Sequence, residues 1–320
     1  MSVPQARHLD RAALRDWPLP PLDGSGDKDV CGSLLVVAGS AETPGAAILA
    51  ASAALRAGAG KLVIATVPAV ALAIAVAVPE ARVIGLDRTP HGLLTHEVQA
   101  ALRKVLGRAD AQLIGPGLAN DATSVQLARD LMAQCAERSL APRVVLDAAA
   151  LAAVAGHAGA PVLVTPHAGE MAHLTGADKS QTLDAADAIA VDAARRWQAV
   201  VALKGAVTWI AAPDGRLWRH AHSNPGLAMS GSGDVLAGII AGLAARGASL
   251  EQAAAWGAVL HAQAGQRLAS RCGGLGFLAR ELPEEIPALL ETRVEPADLA
   301  DLADLADLRN LPISRGPPDG

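Results

Sequence analysis

The stretch SLLVVAGSAETPGAAILAASAALRAGAGKLVIAT, residues 33–66, decides the fold. Ser33–Ala38 is a continuous apolar run of strand length, Gly45–Ala57 is Ala-rich and long enough for a helix, and Leu62–Thr66 is a second apolar run. A strand that alternates with nothing polar is buried on both faces, which is the habit of a parallel sheet covered by helices. The pattern repeats outward through Gln112–Ile114, Arg143–Leu146, Val162–Val164 and Val200–Leu203. The expected class is therefore α/β, a central and mostly parallel sheet with helices on both faces.

Each expected strand ends in turn or charge chemistry: Gly39-Ser40, Gly115-Pro116-Gly117, Asp147, Thr165-Pro166-His167 and Lys204-Gly205. In open α/β sheets the carboxyl ends of the strands face one crevice, so these groups are expected to converge there. Pro213-Asp214-Gly215 reads as a hairpin turn after a further apolar segment.

The chain ends suggest three regions. Residues 1–27 are polar and Pro-rich (Pro18, Pro20, Pro21) and read as a lead-in without a folded unit, residues 28–290 as one catalytic domain, and residues 291–320 as a low-complexity, mobile tail. The tail carries four Ala-Asp-Leu triplets, Ala297 to Leu308, whose period of three fits neither strand nor helix well.

Composition excludes several classes of function. Net charge is −5 and aromatic residues are 2% of the chain, so neither a phosphate-tracking stripe nor a base-stacking surface is expected, and nucleic acid is not a partner. Cys31, Cys135 and Cys272 lack disulfide or zinc spacing and read as reduced, small core residues. The apolar run Ala69–Val78 is too short to span a bilayer and the N-terminus lacks a signal-peptide core, so a soluble, cytoplasmic protein is expected.

Ser230-Gly231-Ser232-Gly233-Asp234 runs straight into an apolar helix pattern, Val235 to Leu243. Backbone N–H groups at Gly231, Ser232 and Gly233, together with the helix dipole, would form an anion hole suited to phosphate. Asp234 is either a helix-start stabiliser or a base that takes a proton from a hydroxyl attacking phosphorus. Lys204, at a strand end, is either a solvated charge or a phosphate partner. His167 and Glu170 are either a cap and first-turn acid, or a ligand donor and a carboxylate holding hydrated Mg2+. Gly115-Pro116-Gly117 lacks the third glycine of a dinucleotide fingerprint, and Gly58-Ala59-Gly60-Lys61 lacks the rest of a phosphate-binding loop.

Taken in order, these segments resemble the ADP-dependent NAD(P)H-hydrate dehydratases, a branch of the ribokinase-like superfamily. The resemblance runs from Lys28–Gly32 through Val36–Ser40 with Pro44–Ala47, Gly115–Leu118, Leu146–Ala148, Thr165–Glu170, Leu203–Gly205 with Thr208, and Asn224–Ala228, to Gly231–Gly238. Its most discriminating piece is Thr-Pro-His-x-Gly-Glu, because related small-molecule kinases tend to carry Asn at the place of His167. The resemblance implies that Ala46, Gly117, His167 and Asp234 contact the hydrated dinucleotide, NADHX or NADPHX. It also implies that Lys204, Gly205, Ala206, Val207, Thr208 and Gly233 hold the co-substrate ADP. The family further implies a homotetramer, and the short lead-in implies that an NAD(P)HX epimerase is a separate protein. Ala168, Ala149 and Ser223 stand where the family usually has Pro, Asp or Gly, and Gly. Two rival readings use the same motifs: a vitamin-precursor or sugar kinase releasing a stable phosphorylated product, and a nucleotide sensor without turnover.

Overall fold

The computed structural model describes residues 3–21, 31–87, 96–136, 142–157, 160–222 and 224–291. The Ala297–Leu308 repeat, Lys28 and Ser223 lie outside them. Ten strands form one sheet: β1 (Arg7–His8), β2 (Ser33–Val37), β3 (Lys61–Thr66), β4 (Arg82–Gly85), β5 (Ala111–Ile114), β6 (Arg143–Leu146), β7 (Val162–Val164), β8 (Val200–Leu203), β9 (Val207–Ala211) and β10 (Leu217–Ala221). Their order is β1-β10-β9-β8-β7-β6-β5-β2-β3-β4. Only the β8–β9 and β9–β10 pairs are antiparallel. The latter closes through Pro213-Asp214-Gly215, where Gly215 takes φ 92° and Ala212 N–H donates to Arg216 O, as a hairpin turn requires.

Between the strands lie α1 (Arg11–Arg15), α2 (Pro44–Arg56), α3 (Pro68–Ala77), α4 (His96–Leu106), α5 (Ala122–Ala136), α6 (Ala168–Thr175), α7 (Lys179–Asp184) and α8 (Ala186–Trp197). After β10 come α9 (Ser232–Ala245), α10 (Leu250–Cys272) and α11 (Leu282–Glu291). β2 shows how the core divides. Leu34 and Val36 enter a cluster with α2, α9 and α10, while Leu35 and Val37 enter a second cluster with Leu127 and Leu131 of α5 and Trp197 of α8. Both sheet faces are thus covered, which explains the unbroken apolar strands.

Small residues set the spacing on the first face. Ala47, Ala50, Ala51, Ala53 and Ala54 of α2 are fully buried against α9. A side chain at Gly242 would lie 2.5 Å from Ala54 O, and one at Gly238 would run into the Ala50 carbonyl. The glycines of α9 let the two helices approach backbone to backbone, which brings their N-termini to the same edge of the sheet.

Two expectations need correction. The residues read as an unstructured lead-in contain β1 and α1, capped by Asp10, whose Oδ1 accepts the Ala13 N–H at 2.8 Å. Leu9, Leu14 and Leu19 are buried, Trp17 stacks on Trp218 at 5.4 Å, and Trp256 Nε1–H donates to Trp17 O at 2.9 Å. The segment is too short and its leucines too widely spaced to show a helical period, so its docking comes from tertiary contacts. Cys31 is half-buried and Cys272 exposed at the end of α10, not core residues; Cys135 lies outside the described side chains. The apolar run at 69–78, expected to be too short to span a bilayer, forms the surface helix α3, in which Ile74 is buried, and ends at the buried Val78. Among the described residues no helix is long and apolar enough to cross a membrane.

Leu14→Ala is expected to lower stability by about 2–5 kcal/mol, the usual cost of emptying a buried leucine site. Urea denaturation measures it, and an unchanged midpoint would mean that residues 9–19 are not part of the core.

Candidate active site

The α9 N-terminus is built by two glycines. Gly231 is its N-cap with φ 89°, in the left-handed region, and a Cβ there would lie 2.6 Å from Leu49 Cδ1 of α2. No other residue fits that position without strain. Ser232 N–H reaches Met229 O at 3.3 Å, whereas the Gly233 and Asp234 N–H groups have no backbone acceptor among the described residues. Those two donors and the positive end of a 14-residue helix are what an anion would meet.

Lys204 faces that helix end. Its Nζ lies 3.4 Å from where a Cβ of Gly233 would stand, which puts the ammonium at contact distance from the first turn of α9. The backbone that delivers it continues past the β7–β8 pairing: Lys204 N–H donates to Pro166 O at 2.8 Å, and His167 and Lys204 form an isolated parallel bridge. The Lys204 side chain is only 17% exposed, which rules out a solvated charge. Its ammonium pairs with Asp147 Oδ1 at 2.9 Å and lies 3.9 Å from Glu170 Oε2. Thr165 Oγ1 donates to the same Asp147 oxygen at 2.6 Å. Asp147 itself is buried at the end of β6, where Ala148 leads into a short 3-10 helix, Ala148–Val154.

His167 and Glu170 form a capping box at the start of α6. His167 Nδ1 accepts the Gly169 N–H at 2.9 Å and the Glu170 N–H at 3.2 Å, while His167 N–H donates to Glu170 Oε2 at 2.7 Å. The cap and the ligand roles are compatible: with Nδ1 accepting, the ring carries its proton on Nε2, and the His167 side chain is 59% exposed. Ala46 and Gly117 meet at the α2 N-terminus. Gly117 takes φ 64°, and a Cβ there would lie 2.6 Å from Ala46 Cβ; Thr43 Oγ1 donates to Gly117 O at 2.8 Å.

Asp234 sits in the first turn of α9, half-buried. Burial and then the Asp147 carboxylate push its carboxyl up to about 6; Lys204 opposes them and Glu170 adds to them. For Lys204, burial favours the neutral form, but the charges of Asp147, Glu170 and Asp234 outweigh it and the ammonium is held above its ordinary range. The cluster thus contains one carboxyl poised to exchange a proton near neutrality, beside a permanent cation and two backbone donors.

Gly205, Ala206 and Val207 continue from Lys204 to β9, with Gly205 and Ala206 exposed and Thr208 buried. Asp147 and Thr165 are the members that the motif reading gave no role, although Asp147 ends a strand as the other site residues do. No group of three His, Cys, Asp or Glu side chains among the described residues is placed to hold a metal ion.

The family model for NAD(P)H-hydrate dehydratase matches residues 34–288. The chain is 46% identical over 292 residues to an ADP-dependent (S)-NAD(P)H-hydrate dehydratase of Xanthomonas campestris pv. campestris, covering 91% of this chain and 98% of the relative. Among solved structures, the ADP/ATP-dependent NAD(P)H-hydrate dehydratase of Bacillus subtilis, co-crystallized with ATP/Mg2+, superposes with a TM-score of 0.77 at 30% identity, covering 91% of this chain and 99% of that one. A ribokinase-like superfamily protein of Enterococcus faecalis gives 0.75 at 27% identity, covering 90% and 96%. The sheet order and these matches make the chain a ribokinase-like protein of the NAD(P)H-hydrate dehydratase family.

Proposed function

We propose that the protein dehydrates (6S)-NADHX and (6S)-NADPHX to NADH and NADPH at the expense of ADP, releasing AMP and phosphate, as a repair activity for nicotinamide cofactors. The observation that carries this reading is the convergence of Asp234, Lys204 and the free N–H groups of Gly233 and Asp234 at one helix end.

In the first step Asp234 takes the proton of the ring hydroxyl as that oxygen attacks the terminal phosphorus of ADP, and the bond to the AMP oxygen breaks with its electron pair leaving on AMP. Lys204 and the two N–H groups hold the charge on the transferring phosphoryl. In the second step the ring C–O bond breaks, its electron pair leaves with phosphate, and loss of a proton from the adjacent ring carbon restores the double bond. Ala46, Gly117 and His167 hold the hydrated dinucleotide, with His167 donating through Nε2. Lys204 to Thr208 and Gly233 hold the adenine nucleotide.

Mg2+ fits as an ion held mainly by phosphate oxygens and water, since the carboxylate within reach, Glu170, already accepts one backbone N–H and would reach the ion through water. When bound, it supplies neutralising charge on the phosphates. We further propose a cytoplasmic homotetramer. Support for assembly comes from α3, where Leu72 is 79% and Val76 is 75% exposed on an apolar helix. The assigned regions are a core domain over residues 28–290, onto which residues 9–19 dock, and a tail from 291.

Incubation with NADHX, Mg2+ and either ADP or ATP, following NADH absorbance and AMP, tests the reaction. NADH formed one-for-one with AMP is expected, whereas a stable phosphorylated product would make the protein a kinase. Asp234→Asn is expected to keep ADP binding while losing roughly two to four orders of magnitude in turnover, the usual worth of a general base; near-normal turnover in the folded variant would remove Asp234 from that role. Because the base must be ionised, kcat/KM is expected to fall as pH drops below about 6, where the Asp234 carboxyl takes up its proton. A profile flat down to about pH 4.5 would contradict that assignment.

A further inference from the structure

His261 is a buried imidazole for which the proposed chemistry has no use. It lies in the middle of α10, is 8% exposed, and its Nε2 is 3.0 Å from the hydroxyl of Ser232, which is 5% exposed. A polar pair inside an Ala-rich core costs stability unless both members are satisfied, and apolar residues of similar shape would fill the space at less risk.

The surroundings show what the pair supports. Residues 257, 261 and 265 fall on one face of α10, four apart. A side chain at Gly257 would press on Ile240 of α9 at 2.5 Å, and one at Gly265 would meet Leu227 at 2.7 Å and Asn224 Nδ2 at 2.9 Å. The face Gly-His-Gly therefore lies directly against α9 and the loop that enters it, and His261 provides its hydrogen bond to the first residue of α9. The carbonyl carbon of Ser232 and the N–H of Gly233 belong to the same peptide plane. Fixing the Ser232 side chain thus fixes the direction of the Gly233 donor at the anion site, which Met229 O, at 3.3 Å from Ser232 N, holds only loosely.

We propose that His261 is a positioning residue for phosphoryl transfer, anchoring the Ser232 hydroxyl so that the Gly233 N–H stays aimed at the transferring phosphoryl. This rests on the reaction proposed above. Burial first, then the neighbouring charges of His222 and Lys204, press the ring's pKa down to about 3, so it stays neutral and works as a fixed hydrogen-bonding partner throughout the pH range of the reaction. A donor that must be aligned when charge develops affects the transition state more than the bound nucleotide.

The test combines kinetics with amide exchange on wild type, His261→Ala, His261→Gln, Ser232→Ala and the His261→Ala/Ser232→Ala double variant. His261→Ala and Ser232→Ala are each expected to lower kcat about 10- to 100-fold, at or below the cost of deleting a donor outright, with ADP affinity changed less than about threefold. The double variant loses no more than either single one, because the two residues act as one unit, and His261→Gln, which keeps a hydrogen-bonding group, recovers part of the rate. Multiplying losses, or a wild-type kcat in either single variant, would overturn the proposal. Hydrogen exchange of the peptide spanning residues 229–236 decides the matter without turnover: faster exchange in both single variants is expected, and unchanged exchange would overturn it. A wild-type enzyme inactive on NADHX would contradict the proposed reaction and leave this exchange result standing. If His261→Ala does not fold, Ser232→Ala alone decides, since it removes the other partner of the same hydrogen bond.

Discussion

The ion pair between Lys204 and Asp147 is the constraint on which the site depends. The two residues are 57 positions apart, on the ends of β8 and β6, with β7 between them. An ammonium 17% exposed and a carboxylate side chain 4% exposed are each costly alone, and close pairing removes most of that cost. Thr165, from the end of β7, donates to the same Asp147 oxygen, so three neighbouring strand ends are tied at one atom. The backbone of Asp147 also closes on the other half of the site: its carbonyl packs against Gly115, where a Cβ would overlap it, and Gly115 begins the loop that carries Gly117 to Ala46. One acidic residue therefore sets the position of the cation at the anion site and of the loop at the α2 N-terminus.

The same pair sets the electrostatics of Asp234. Three carboxylates and one ammonium share the cluster, and partial burial stops water from screening them. Lys204 is held by Asp147 and approached by Glu170, so it offsets only part of what burial and the other carboxylates do to Asp234. The outcome is an acid that is ionised at neutral pH yet basic enough to accept a proton. The close packing of α2 on α9 through Gly238 and Gly242 brings this group to the edge where Ala46 and Gly117 lie.

Features that depend on neighbours in the chain were legible in the sequence, and features that depend on distant partners were not. The strands β2, β3, β5, β6, β7 and β8 of the parallel centre read as mostly apolar runs because helices cover both their faces; β4, at the sheet edge with Ile84 as its one buried residue, does not read as a strand. Gly231 and Gly233 marked the helix start, and the Thr-Pro-His-x-Gly-Glu turn marked α6, because local backbone geometry demands those residues. The choice between cap and ligand for His167 was not legible, and the structure shows why: one ring nitrogen caps the helix while the ring remains exposed. Asp147 looked like any strand-end acid until Lys204 was placed beside it, and His261, between Leu260 and Ala262 of an Ala-rich helix, carried no local signal. Residues 9–19 gave no sign of their docking because their burial comes from Trp218, Gln252 and Trp256 far along the chain.

The most direct test of the clamped Lys204 as a phosphate partner is the dissociation constant of ADP, measured by calorimetry for wild type and Lys204→Ala. Loss of a charge-assisted contact to phosphate predicts affinity weaker by roughly 10- to 100-fold in a variant that still folds. Unchanged affinity would mean that the ammonium serves only to neutralise Asp147, and the nucleotide site would have to be sought elsewhere on the sheet edge.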